Sequence, residues 1–134
     1  MNQDSVAAAL NLLGRVLLVA IFLPEAWVKI RGYDAAVAYM ARFGVPGALL
    51  PLVIALEIAA PILIAIGWHT RLAALALAGF CLLTALFFHA DFANPNQQLH
   101  FWKNLAMAGG FIVLAANGAG AWALDARMRM KPSQ

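Results

Sequence analysis

The chain has 134 residues, of which 64% are hydrophobic and only 11% charged, with a formal net charge of +3. A soluble domain carries about 25% charged residues, so this composition and a mean hydropathy of +0.81 exclude an ordinary water-soluble globule and point to a membrane. The basic excess gathers at the ends of apolar runs rather than in a stripe, which suits anionic lipid headgroups and argues against a nucleic-acid partner. Cys81 is the only cysteine, so an intrachain disulfide, a CxxC redox pair and a cysteine-based zinc site are excluded.

The first apolar segment runs from Val6 to about Val28. Arg15 followed by VLLVAIFL has the look of a signal peptide, but Pro-Glu-Ala-Trp makes a poor cleavage site and a retained span is expected. Asn11, Arg15, Leu18, Phe22, Glu25 and Lys29 recur at alternating spacings of four and three, which places them on one helix face turned inward. Residues 30–44 form the longest connection. Ile30, Tyr33, Val37, Met40 and Phe43 recur at helical spacing among polar residues, predicting a short amphipathic helix in the membrane interface.

The second span, 45–68, carries one ionisable residue, Glu57, near its middle. A central acid costs about 2.5–3.5 kcal/mol on the insertion scale, and each Leu, Ile, Val or Phe returns roughly 0.3–0.6. The twelve such residues around Glu57 outweigh it, so the segment inserts with its carboxylate. Pro61 cannot donate to the Glu57 carbonyl, which concentrates polarity in one turn and predicts a bend there. The third span, 72–90, is rich in small residues (Ala73, Ala74, Ala76, Ala78, Gly79) that permit close helix approach. The fourth, 99–124, is expected to turn His100, Lys103, Met107, Gly110, Leu114, Asn117 and Ala121 to one face, and a basic tail with Arg127, Arg129 and Lys131 follows.

The expected fold is therefore an all-α, up-down antiparallel four-helix membrane bundle forming a single domain over 1–134, with an interfacial helix between spans one and two. Both termini are expected in the cytoplasm, on a nearly even count of basic residues. Depth arithmetic places Arg15 about 13 Å from one side and Glu57 about 18 Å from the other, at similar heights. The two are accordingly expected to pair. Glu25, Lys29, His89, His100, Lys103 and Asn104 fall toward the outward end, where they would line a polar funnel above that pair. The plainer alternative is interhelical ties and snorkelling side chains. His89, Asp91 and His100 match no compact metal motif, and no metal site is expected. No GxSxG, P-loop or GxGxxG occurs, and no histidine pair at depth suits haem.

Gly14-Arg15-Val-Leu-Leu, Phe22 through Lys29, Tyr39-Met40, Gly44-Val45-Pro46, Leu56-Glu57, Gly67 with Thr70-Arg71, Phe88-His89, and His100-Phe-Trp-Lys103-Asn104-Leu105 with Gly109-Gly110 occur in this order. In that order they resemble the DoxX family over nearly the whole chain. Pro24-Glu25-Ala26 and Ala60-Pro61 depart from its usual small residues. The resemblance implies a small four-helix protein of the bacterial inner membrane, related to the small subunit of thiosulfate:quinone oxidoreductase. It implies a membrane subunit of a redox or quinone-linked complex, with quinone as the ligand and a redox partner protein or a homo-oligomer as partner. It assigns no catalytic residues. The alternative is a non-enzymatic scaffold, assembly factor or small-solute carrier.

Overall fold

The computed structural model describes residues 2–129, and Lys131 of the basic tail lies outside them. Among the described residues the helices are α1 (Gln3–Val19), α2 (Phe22–Arg31), α3 (Tyr33–Arg42), α4 (Leu50–Ile66), α5 (Thr70–Phe88), α6 (Pro95–Asn117) and α7 (Leu124–Arg129), with a 3-10 turn at Gly47–Leu49. Together α1 and α2 make the first span. With α4, α5 and α6 they form four antiparallel spans long and apolar enough to cross a bilayer. The expected interfacial helix is α3.

Local chemistry explains the boundaries. Asn2 caps α1 by accepting from the Ser5 backbone N–H at 2.9 Å. The first span breaks at Ala20–Ile21 because Pro24, four residues on, has no N–H to offer the Ala20 carbonyl; the Ala20 N–H itself tightens onto Leu17 O at 3.3 Å. Beyond α4, Gly67 adopts φ +74°, and the Trp68 N–H reaches back to Leu63 O at 2.9 Å, closing the helix end. A side chain at Gly67 has no room: a Cβ there would lie 2.5 Å from Ala123 Cβ and 2.8 Å from Arg15 Nη1. Asn94 caps α6 through the Asn96 and Gln97 N–H groups, and Pro95 suits its first turn.

Two expectations need correction. The fourth span ends at Asn117 rather than Leu124, because Gly118 turns away at φ +80° and residues 118–123 fold back beneath the bundle. The buried positions of that span are Asn104, Ala108, Phe111, Leu114 and Ala115. Of the expected stripe, Leu114 is among them, Gly110 faces Leu18, and His100, Lys103 and Met107 turn to the cavity described below. Gly79 meets nothing within 4 Å, so it does not serve close approach within this chain. Helix α4 runs on through Pro61 as far as Ile66.

The core gathers Phe22, Ile64, Ala74, Leu77, Ala78, Cys81, Ala108 and Phe111 around the middle of the spans. Phe22 sits between Phe111 and Phe80, with ring centroids at 5.7 and 6.5 Å. The most extensive helix pair is α5 with α6, where Ala73, Ala74, Ala78 and Ala85 admit the larger side chains of α6. Leu17, Leu52, Leu72, Leu86 and Val113 point outward with more than half their surface exposed, as a lipid-facing belt requires.

Candidate binding cavity

At the end of the bundle away from Arg15, the spans line a partly open cavity of about 740 Å³. Helix α2 supplies Glu25 and Lys29, α4 supplies Glu57, and α6 supplies His100, Lys103 and Asn104; His89 stands at the end of α5. Seven of the eight candidate residues thus line one space. Most of the remaining surface is apolar and aromatic, from Val53, Phe80, Leu83, Phe87 and Phe88, with Thr84 among them. Tyr39 and Met40 of α3 add to it from the side of the interface. Tyr39 stacks on Phe88 at 5.6 Å, and Phe43 meets Phe88 edge-on at 5.2 Å, which ties α3 to the rim.

Lys29 organises the charged part. Its Nζ donates to Glu57 Oε1 at 3.0 Å and to Glu25 Oε2 at 3.3 Å, so one ammonium serves two carboxylates. Glu57 is buried, and its Oε2 has no hydrogen-bond partner. That oxygen is an unmet buried polar atom beside the cavity. Nearby, His89 and His100 stack with centroids 5.1 Å apart. His89 Nδ1 lies 2.6 Å from Gln97 Oε1, within hydrogen-bond distance. Asn104 donates to the His100 carbonyl at 2.9 Å, while Lys103 makes no ion pair among the described residues.

Arg15 is not part of this space, and the expected Arg15–Glu57 pair does not form. The guanidinium is buried at the opposite end of α4. It donates to Ile64 O at 2.8 Å, Ala65 O at 3.1 Å, Trp122 O at 2.7 Å and Asn11 Oδ1 at 3.1 Å. The reason is register. Residues 45–49 precede α4, so Glu57 lies seven residues into the helix rather than twelve, about 10 Å deep. Ile64 is a further seven residues down the same helix. Lys29, two residues before the end of α2, reaches inward with its long stem and meets the acid first. Its place on one face with Glu25, four residues away, was the available signal.

A second tie closes the Arg15 end. Asp125 accepts from the backbone N–H groups of His69 at 3.0 Å and Thr70 at 3.1 Å, capping α5 from beyond the last span, while its own N–H donates to Gly67 O at 2.8 Å. Burial pushes the Asp125 carboxyl up, but those two N–H bonds win and hold it below the usual carboxylate range. Sequence reading missed this residue, because a cap supplied by a distant segment leaves no local pattern.

Four apolar spans around an interior cavity with a charged end define a small polytopic membrane protein. The DoxX family model matches residues 10–90. Inner membrane protein YqjF of Escherichia coli K12 is 45% identical over 120 residues, covering 90% of this chain and 92% of its own. Inner membrane protein YphA of the same organism is 39% identical over 126 residues, covering 88% of this chain and 89% of its own. This chain belongs to the DoxX family. No solved structure matches it.

Proposed function

We propose that the protein is a quinone-binding membrane subunit of a redox-linked assembly in a bacterial inner membrane. The observation behind this reading is the cavity itself: about 740 Å³, apolar and aromatic along its walls, with Lys29, Glu57, His100 and Lys103 gathered on it. A space of that size and lining suits a lipophilic molecule with a polar head. Small polar solutes would leave the Phe and Leu walls unused. The charged groups hold and orient the head, and a partner protein exchanges electrons with the bound molecule. Both termini lie in the cytoplasm, so that the cavity opens outward; a carboxy-terminal fluorescent-protein fusion then fluoresces and an alkaline phosphatase fusion is inactive.

The test is extraction in mild detergent from quinone-replete cells, followed by native mass spectrometry and solvent extraction. Quinone in near-stoichiometric amount, lost on filling the cavity with Val53→Trp, is the expected result. Preparations free of quinone, or a quinone content untouched by that substitution, overturn the reading.

A further inference from the structure

The end of the bundle that holds Arg15 carries a second, partly open cavity, of about 540 Å³. Arg71 from the start of α5 and Arg129 from the end of α7 both line it. Both are exposed, and neither makes an ion pair among the described residues. A guanidinium keeps its charge at any physiological pH, so both stand ready for an anion. The acid that lines the cavity, Asp125, is already engaged by the His69 and Thr70 N–H groups. Two cations against one carboxylate leave the space with a positive balance.

The bend that ends α6 helps to place Arg71. Gly118 turns at φ +80°, and a Cβ there would meet Arg71 Nε at 3.5 Å and Nη2 at 3.6 Å. The guanidinium therefore lies against the turn. Residues 119–121 also line the cavity, and their N–H groups donate to no backbone oxygen among the described residues. A space rich in donors suits an anion that accepts at several oxygens, as a phosphate does.

Depth and the apolar surroundings say where that phosphate comes from. Trp68 and Trp122 are both exposed at this end, which marks it as headgroup level. Leu72 borders the cavity and is 70% exposed, and Leu75 continues the same outward face one turn along α5. A phosphate beside the arginines thus has a lipid-facing apolar strip next to it. A free phosphate ion would leave that strip unused.

We propose that this cavity seats the phosphate of an anionic membrane lipid, with Arg71 and Arg129 binding its oxygens and an acyl chain lying along Leu72 and Leu75. Basic pockets at the ends of membrane helices hold lipid headgroups by this chemistry. The site does not depend on the quinone reading.

The test is native mass spectrometry of the delipidated full chain in mild detergent. The chain is titrated with dioleoyl phosphatidylglycerol, dioleoyl phosphatidylcholine or inorganic phosphate, and the affinity of the first bound molecule is read. The two lipids share their chains and a phosphate but differ in net charge. Phosphatidylglycerol is expected to bind about tenfold tighter or more, the scale of two cations acting near the membrane surface. Millimolar inorganic phosphate should not displace it. Arg71→Gln with Arg129→Gln should erase the preference. Arg31→Gln with Arg42→Gln, which removes two exposed cations from the other end of the bundle, should leave it unchanged. Equal affinity for the two lipids, or equal loss from both pairs of substitutions, overturns the proposal. Displacement by inorganic phosphate overturns the lipid and assigns the cavity to a soluble phosphate. The lipid comparison is made on the wild-type chain, so it decides the matter even if a variant folds poorly.

Discussion

At one end of the bundle the Arg15 guanidinium makes four hydrogen bonds to three separate segments of the chain. At the other, Glu57 makes one contact with a lysine and leaves an oxygen bare. Both groups are buried, at 2% and 3% exposure. Burial alone therefore does not separate a structural charge from a functional candidate. What separates them is completeness: a group whose hydrogen-bonding capacity is met by backbone carbonyls holds helices together, and one with capacity left over beside a cavity is available to a ligand.

The comparison breaks most visibly at Arg15. Arg15→Leu leaves the Ala65 and Trp122 carbonyls without the guanidinium donor, while Ile64 O keeps the Gly67 N–H at 3.2 Å; at about 1–3 kcal/mol for each orphan, a loss of about 2 kcal/mol or more is expected in detergent unfolding. Arg15→Lys should recover less than half of it, because a single ammonium cannot match the planar fork. Reversing both charges, Arg15→Glu with Glu57→Arg, should rescue neither single change.

At the other end, Lys29→Met strands the Glu57 carboxylate. Breaking a buried pair costs about 3–5 kcal/mol, and the partial exposure of Lys29 reduces this to about 2–3. The double change Lys29→Met with Glu57→Leu should return close to wild-type stability while abolishing ligand binding, so the pair serves binding more than folding. A double-mutant cycle of thermal unfolding reads the coupling.

Gly67→Ala sharpens the contrast by forcing a Cβ between Ala123 and Arg15 at a positive φ. A cost of about 2 kcal/mol is expected, with binding affinity in surviving protein unchanged. Asp125→Asn is the mildest, about 1 kcal/mol, the scale of a lost helix cap. Because the folded-state pKa of Asp125 lies below its unfolded value of about 3.9, its contribution is complete above that pH and fades only as pH falls through the lower, folded value. Unfolding followed down an acid series should show wild type and Asp125→Asn converging there.

Much of this was legible in the sequence. Hydropathy led to four spans, and the periodicity of residues 30–43 led to α3. The shared face of Glu25 and Lys29, and the clustering of His89, His100, Lys103 and Asn104 toward one side, led to six of the residues that line the cavity, and the lone acid of the second span, Glu57, is the seventh. Register was not legible. An apolar run does not say where its helix begins, and five residues of error in α4 sent the wrong cation to Glu57. Nor could composition reveal that Gly118 ends the fourth span early, which lets Trp122 and Asp125 return to the α4–α5 corner.

The Arg15–Trp122 bond joins positions 107 residues apart. During synthesis, the first helix enters the bilayer with a charge whose last partner has not yet been translated. Until the final hairpin is delivered, that guanidinium must be sheltered by the insertion machinery or by water drawn in beside it. A chain stalled before residue 122 therefore holds Arg15 only through Asn11, Ile64 and Ala65, one hydrogen bond short of the finished set.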